Sequence, residues 1–190
     1  TSLNAALVPT FGTPVPTADG FTVDITNYDN AWTYAGTATV DGVVTVVDDV
    51  ITVTGVDPNT ESTATITSTR EGYADGVATI SDTSLMAALV PVLGEPTSTP
   101  DGYTVVIENY DATEFTWGAD VTSADGSASI QQVGGDHVVV VVGLDPDDPA
   151  TVNVTTTRTG YATGSREVTA SSLKAKLDPT FGAVERTPTG

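Results

Sequence analysis

The chain repeats itself at a distance that sets the size of its folding unit. Ser2-Leu3-Asn4-Ala5-Ala6-Leu7-Val8-Pro9 returns 82 residues on as Ser84-Leu85-Met86-Ala87-Ala88-Leu89-Val90-Pro91, and 88 residues later as Ser172-Leu173-Lys174-Ala175-Lys176-Leu177-Asp178-Pro179. Solenoid units run about 20–50 residues, so this period belongs to a small domain. The reading is two domains, residues 1–83 and 84–171, followed by residues 172–190 as the first strand of a third copy or a joining strand.

Further matches hold the alignment. Asn27-Tyr28-Asp29 pairs with Asn109-Tyr110-Asp111 at 82, while Gly55-Val56-Asp57-Pro58 pairs with Gly143-Leu144-Asp145-Pro146 at 88. Thr69-Arg70-Glu71-Gly72-Tyr73 likewise matches Thr157-Arg158-Thr159-Gly160-Tyr161 at 88. The six extra residues therefore enter between Asp111 and Gly143, where Gly126, Gly134 and Gly135 point to longer loops.

Charge narrows the partners. The net charge of −19 divides into 11 acids and 1 base in residues 1–83, 12 acids and 2 bases in 84–171, and 2 acids and 3 bases in 172–190. Both domains repel phosphates and anionic lipid, which disfavours nucleic acid and membrane surfaces. No apolar run, Val138 to Val142 included, approaches the roughly 18 residues of a membrane span, so no membrane insertion is expected. No signal-peptide pattern stands at Thr1, and the chain begins at a repeat boundary as a piece of a longer protein would. The absence of cysteine removes disulfides, thiolate metal sites and cysteine nucleophiles together.

Thr and Val dominate between turn dipeptides, a strand signature. Strands are expected near Leu7–Phe11, Phe21–Asn27, Thr33–Val40, Val43–Val47, Ile51–Thr54, Thr63–Thr69 and Val77–Ser81. Phe21, Val23 and Ile25 alternate with polar residues, as do Tyr103, Val105 and Ile107, which gives each strand one buried face. Asp19-Gly20 and Asp101-Gly102 supply tight turns, and Asp41-Gly42 and Asp125-Gly126 read as hairpins. Pro14, Pro16, Pro96 and Pro100 cannot donate to a ladder, so the first strand should be an interrupted edge strand. Ser-Leu-x-Ala-x-Leu could alternatively form one capped helical turn. The fold class is all-β, as two tandem seven-stranded immunoglobulin-like β-sandwiches. Trp32, Tyr34, Phe115 and Trp117 are expected in or near the cores.

At Gly143-Leu144-Asp145-Pro146, the alternating run Val152-Asn153-Val154-Thr155-Thr156-Thr157-Arg158 and then Gly160-Tyr161, the chain resembles a fibronectin type III domain. Both copies are similar to the immunoglobulin-like or fibronectin-type-III-like repeats strung in tandem through large bacterial secreted and surface proteins. The resemblance covers residues 2–171, with 172–190 matching a unit's opening. Thr63 and Thr151 stand where that family's corner tyrosine is expected, a departure from its pattern. The resemblance implies an extracellular, secreted or cell-surface location.

Chemistry-bearing residues are sparse. His137 is the single histidine, lies in one copy only, and has Ser127 and Ser129 near it in sequence without a repeated third partner, so no enzyme is expected. Lys174 and Lys176 are the only lysines and both lie beyond the two complete copies, which excludes an internal isopeptide bond made with either copy's own lysine. An ester bond would draw on Gln131 or Gln132. No cofactor is expected. Calcium is the one metal the residues argue for, through Asp145, Asp147 and Asp148 and, at the same corner of the first copy, Asp57 and Glu61; a solvated acidic turn is the competing reading.

These residues point to a non-catalytic structural module, a stalk, spacer or adhesive array whose partners are neighbouring copies of the same repeat. Few residues separate the strand near Ile80 from Leu85, a short link that suits a stalk. An alternative is a filament subunit assembled by strand addition, with Leu177, Pro179 and Phe181 on a neighbour's sheet edge and Lys174, Lys176 and Arg186 facing acidic bodies. A further alternative is a carbohydrate- or protein-binding accessory module of a secreted enzyme, for which exposed aromatics in a planar row would speak.

Overall fold

The computed structural model describes residues 2–40, 42–123 and 125–182. Among them the chain is all-β, with fourteen strands in four antiparallel sheets and no helix. The first copy supplies β1 (Val15–Thr17), β2 (Gly20–Asp24), β3 (Thr33–Ala38), β4 (Val43–Val47), β5 (Val50–Thr54), β6 (Glu61–Thr69) and β7 (Gly76–Thr83). The second supplies β8 (Thr97–Thr99), β9 (Gly102–Val106), β10 (Thr116–Val121), β11 (Ser127–Val133), β12 (Asp136–Val142), β13 (Pro149–Thr157) and β14 (Gly164–Ser171). By their internal contacts the residues fall into two compact units, Thr1–Val90 with Thr113–Thr116 and Thr156–Gly164, and Pro91–Ala112 with Trp117–Thr155 and Ser165–Gly190.

Strand orders repeat from copy to copy. β1-β2-β5-β4 and β3-β6-β7 in the first become β8-β9-β12-β11 and β10-β13-β14 in the second. In the first copy, Phe21, Val23, Ile25, Ile51 and Val53 of one sheet share a buried cluster with Ala64 and Ile66 of the other. Tyr103, Val105, Ile107, Val139 and Val141 do the same with Ala150, Val152 and Val154 in the second. Period-2 patterning drives this: every second side chain of β6 is buried and those between are not.

Where strand positions differ from expectation, the cause is a long-range partner. Residues 7–11 form no strand; Asn4 and Phe11 each make one isolated bridge, to Tyr73 and Ile25. Pro9 has no N–H to give a ladder there. The short edge strand is instead β1, with Pro16 opposite Phe21, and β8 between Pro96 and Pro100 is its counterpart. The helical turn does not form either, because Ser84 and Ser172 bond to carbonyls of earlier strands' loops rather than capping forward.

The Asp41-Gly42 and Asp125-Gly126 signals do not close hairpins: β3 and β4 lie in different sheets, as do β10 and β11. Asp41 itself lies outside the described residues. Val40, between β3 and β4, lies in the left-handed region at φ 55°. Two-residue hairpin turns stand instead at Ala18-Asp19 between β1 and β2, Pro100-Asp101 between β8 and β9, Asp48-Asp49 between β4 and β5, and Gly134-Gly135 between β11 and β12. The extra residues of the second copy go largely into that hairpin, whose arms grow from five residues each to seven, rather than into longer loops.

Candidate docking site

Each copy opens with a segment that is not a strand yet is held along its length. In the first copy the backbone of Asn4 bridges the Arg70-Glu71-Gly72-Tyr73 corner: its N–H donates to Gly72 O at 3.0 Å and its carbonyl accepts from Ala74 N at 3.0 Å. The second copy repeats this with Met86, at 2.9 Å to Gly160 O and 2.9 Å from Ala162 N. The bonds common to the two copies use only backbone, and in the first copy Asn4 Nδ2 adds a donation to Gly72 O at 3.2 Å.

Further along, the carbonyl of Leu7 accepts from Ser68 Oγ, and that of Leu89 from Thr156 Oγ1 at 2.5 Å. These carbonyls lie directly against Gly76 and Gly164, where a Cβ would collide with the oxygen. Both glycines are buried, and no other residue leaves room for the segment. Asn27 then clamps the next stretch, its Oδ1 accepting from Thr10 N at 2.9 Å and its Nδ2 donating to Val8 O at 2.8 Å. Asn109 Oδ1 accepts from Val92 N at 2.8 Å in the same way.

Three side chains seat the segment. Pro9 and Pro91 are buried, Leu7 and Leu89 half-buried, and Phe11 and Leu93 pack on the first and second cores. The residues between them face out: Val8 is 51% exposed and Val90 49%.

Ser84 and Ser172 end the preceding copies. Ser84 Oγ donates to Asp57 O at 2.6 Å and Ser172 Oγ to Asp145 O at 2.5 Å. Leu85 N and Leu173 N both reach across at 2.8 Å to Thr17 O and Thr99 O. Their carbonyls accept from Asn59 N at 3.0 Å and Asp147 N at 3.1 Å, and both donors have left-handed backbones, at φ 55° and 69°. Asp147 thus occupies a turn position suited to Asn or Asp through backbone geometry.

Asp57, Glu61, Asp145, Asp147 and Asp148 are all exposed. Asp145 and Asp148 line one polar groove with Asp125 and Ser123. Among the described residues, however, no three His, Asp or Glu side chains converge to hold a metal ion.

The aromatics are engaged with one another. Trp32 is buried edge-on to Tyr73 with centroids 5.1 Å apart, and Phe115 meets Tyr161 the same way at 5.4 Å. Arg70 and Arg158 lie over those tyrosines at 4.8 and 4.5 Å, and Arg158 also pairs with Glu114. Tyr34 stacks on Tyr28; Trp117 stacks on Tyr110 and donates from Nε1 to Asp111 O at 2.9 Å. His137 lies flat on Tyr110, ring centroids 3.7 Å apart. The β11–β12 register places Ser129 opposite Val140, three steps along from His137, a separation of about 10 Å along the strand. Ser127, opposite Val142, is farther still.

Tyr103 takes the place of Phe21 in the second core and is fully buried. Its hydroxyl donates to Ala150 O at 3.0 Å and to Val168 O at 3.3 Å, and burial pushes its pKa above the usual 10.

The third opening segment has none of this seating. Leu177 and Phe181 are each 90% exposed, and Pro179 is exposed where Pro9 and Pro91 are buried. Lys174 Nζ lies 4.0 Å from Asp147 and Lys176 Nζ 3.6 Å from Asp178, exposed pairs that hold little. Arg186 lies outside the described residues.

The sequence matches at Asn27, Asn109, Gly76 and Gly164 carried this site without revealing it, since each acts on residues 17 to 75 positions away. Neither a scan against protein-family models nor a search of curated proteins found a match to the chain.

Proposed function

We propose that this chain is a non-catalytic extracellular structural module, two tandem seven-stranded immunoglobulin-like sandwiches serving as stalk, spacer or adhesive array. The strand orders β1-β2-β5-β4 and β3-β6-β7 support the fold reading, since a constant-type immunoglobulin sandwich divides its strands in this way. One observation carries the function: Asn27 and Asn109, and Ser84 and Ser172, polar residues common to both copies, are spent on holding opening segments and closing strands. Buried or mutually stacked aromatics weigh against a planar carbohydrate platform.

Pulling the chain from its ends tests this. A load-bearing array gives two unfolding events, each releasing about 29 nm of chain for roughly 80 residues at ~3.6 Å apiece. A single event, or extension without a resisting step, overturns the reading. A second reading, filament assembly through residues 172–190, draws on the exposed Leu177 and Phe181.

A further inference from the structure

We propose that residues 174–182 are a docking segment whose partner is a further body of this chain's own repeat type, joined directly after Gly182. The proposal rests on the reading of the chain as an array of such bodies, and goes beyond it by naming what the exposed segment binds and how.

The substitution pattern carries the argument. Against the first two opening segments, the third keeps an apolar residue at each seated position: Leu177 for Leu7 and Leu89, Pro179 for Pro9 and Pro91, Phe181 for Phe11 and Leu93. Gly182 matches Gly12 and Gly94, whose N–H groups bond to Asp24 O and Val106 O at 2.9 Å. New charges fall elsewhere. Lys174 stands where the side chains of Asn4 and the 40%-exposed Met86 are exposed and the bonds shared by both copies are made by backbone, and Asp178 where Val8 and Val90 face solvent. Lys176 corresponds to Ala6 and Ala88, small side chains that are only half-buried. Lys174 and Asp178 thus fall at outward positions, and no charge falls at the seated positions Leu177, Pro179 and Phe181.

Chain connectivity favours a body in the same chain over one in a second molecule. In the first copy Phe11 meets Ile25 only 14 residues on, and Leu93 meets Ile107 across the same span, so docking closes a short loop. A tethered partner at that range competes at millimolar effective concentration. The first body's own site is already filled by Leu7 and Phe11.

The test extends the protein: residues 1–182 followed directly by residues 13–83, compared with the chain of 190 residues. Chymotryptic cleavage after Leu177 and Phe181 is read in both. Docking of a Leu and a Phe slows cleavage in the extended chain by about a hundredfold, and Phe181→Asp abolishes the protection while leaving the first two copies intact. Equal cleavage rates with the appended body folded by hydrogen exchange overturn the proposal. If that body stays unfolded after Lys174–Gly182 but folds when Asn4–Gly12 replaces them, the proposal also fails. Concentration-dependent association of the 190-residue chain that Phe181→Asp removes would assign the segment to a second molecule and overturn it likewise. Failure of the array reading is distinct: it appears as a missing unfolding event under force while the segment's protection persists.

Discussion

Tyr103 and Phe21 occupy matching places, and one oxygen atom separates the two cores. The hydroxyl is satisfied by two backbone carbonyls, so it sits in an apolar core without an orphaned donor. Burial raises the folded-state pKa, which fixes the sign of the pH effect. Stability from the neutral phenol is fully present below the unfolded value near 10 and is lost as pH rises through the folded value. Tyr103→Phe should cost the second copy about 1 kcal/mol at pH 7 through the lost hydrogen bonds. Above pH 10 the wild-type deficit should narrow that gap; denaturant melts at pH 7 and 11 that differ by the same amount in both proteins would refute it.

Among elements, the opening segment departs most from an ordinary strand. It contributes no ladder, but its anchors extend each core and its carbonyls are received at designed gaps beside Gly76 and Gly164. Gly76→Ala should expel Leu7 and destabilise the first copy by about 1–3 kcal/mol, an overpacking cost. That corresponds to a fall in Tm of at least several degrees for a domain this small. Gly164→Ala should do the same to the second copy, and hydrogen exchange at Thr10 or Val92 should report which segment has left. An unchanged Tm in both variants would mean that the segments do not contribute to folding. The alternation in β2, β5, β6 and β9 was legible because a strand's face is written locally with period 2. The Leu7–Phe11 segment imitates a strand in sequence because its apolar spacing, Leu7, Pro9, Phe11, has that period, while Pro9 removes the donor a ladder needs.

At the scale of the whole molecule, acidity and its distribution matter more than any single acid. The five corner carboxylates are exposed and do not converge in threes, and Asp147 already has a backbone role at a left-handed turn. Melting with chelator or with millimolar calcium should therefore agree within about a degree. A calcium-dependent rise, which mass action would impose on any folded-state site, would restore the metal reading.

The sequence by itself determined the β class, the period, the two matching copies and the buried face of most strands, because each is encoded by neighbours a few residues apart. It also supplied part of the docking site, with Asn27 and Asn109 as repeated landmarks whose purpose was unassigned. Only the tertiary structure decided that the chain changes sheets after β3 and β10, since a turn signal such as Asp125-Gly126 specifies a reversal but not the sheet that receives the next strand. It alone decided that Gly76 meets Leu7 and Asn27 meets Val8 and Thr10. Those contacts exist only once the sheets have packed and brought distant backbone atoms within hydrogen-bonding reach.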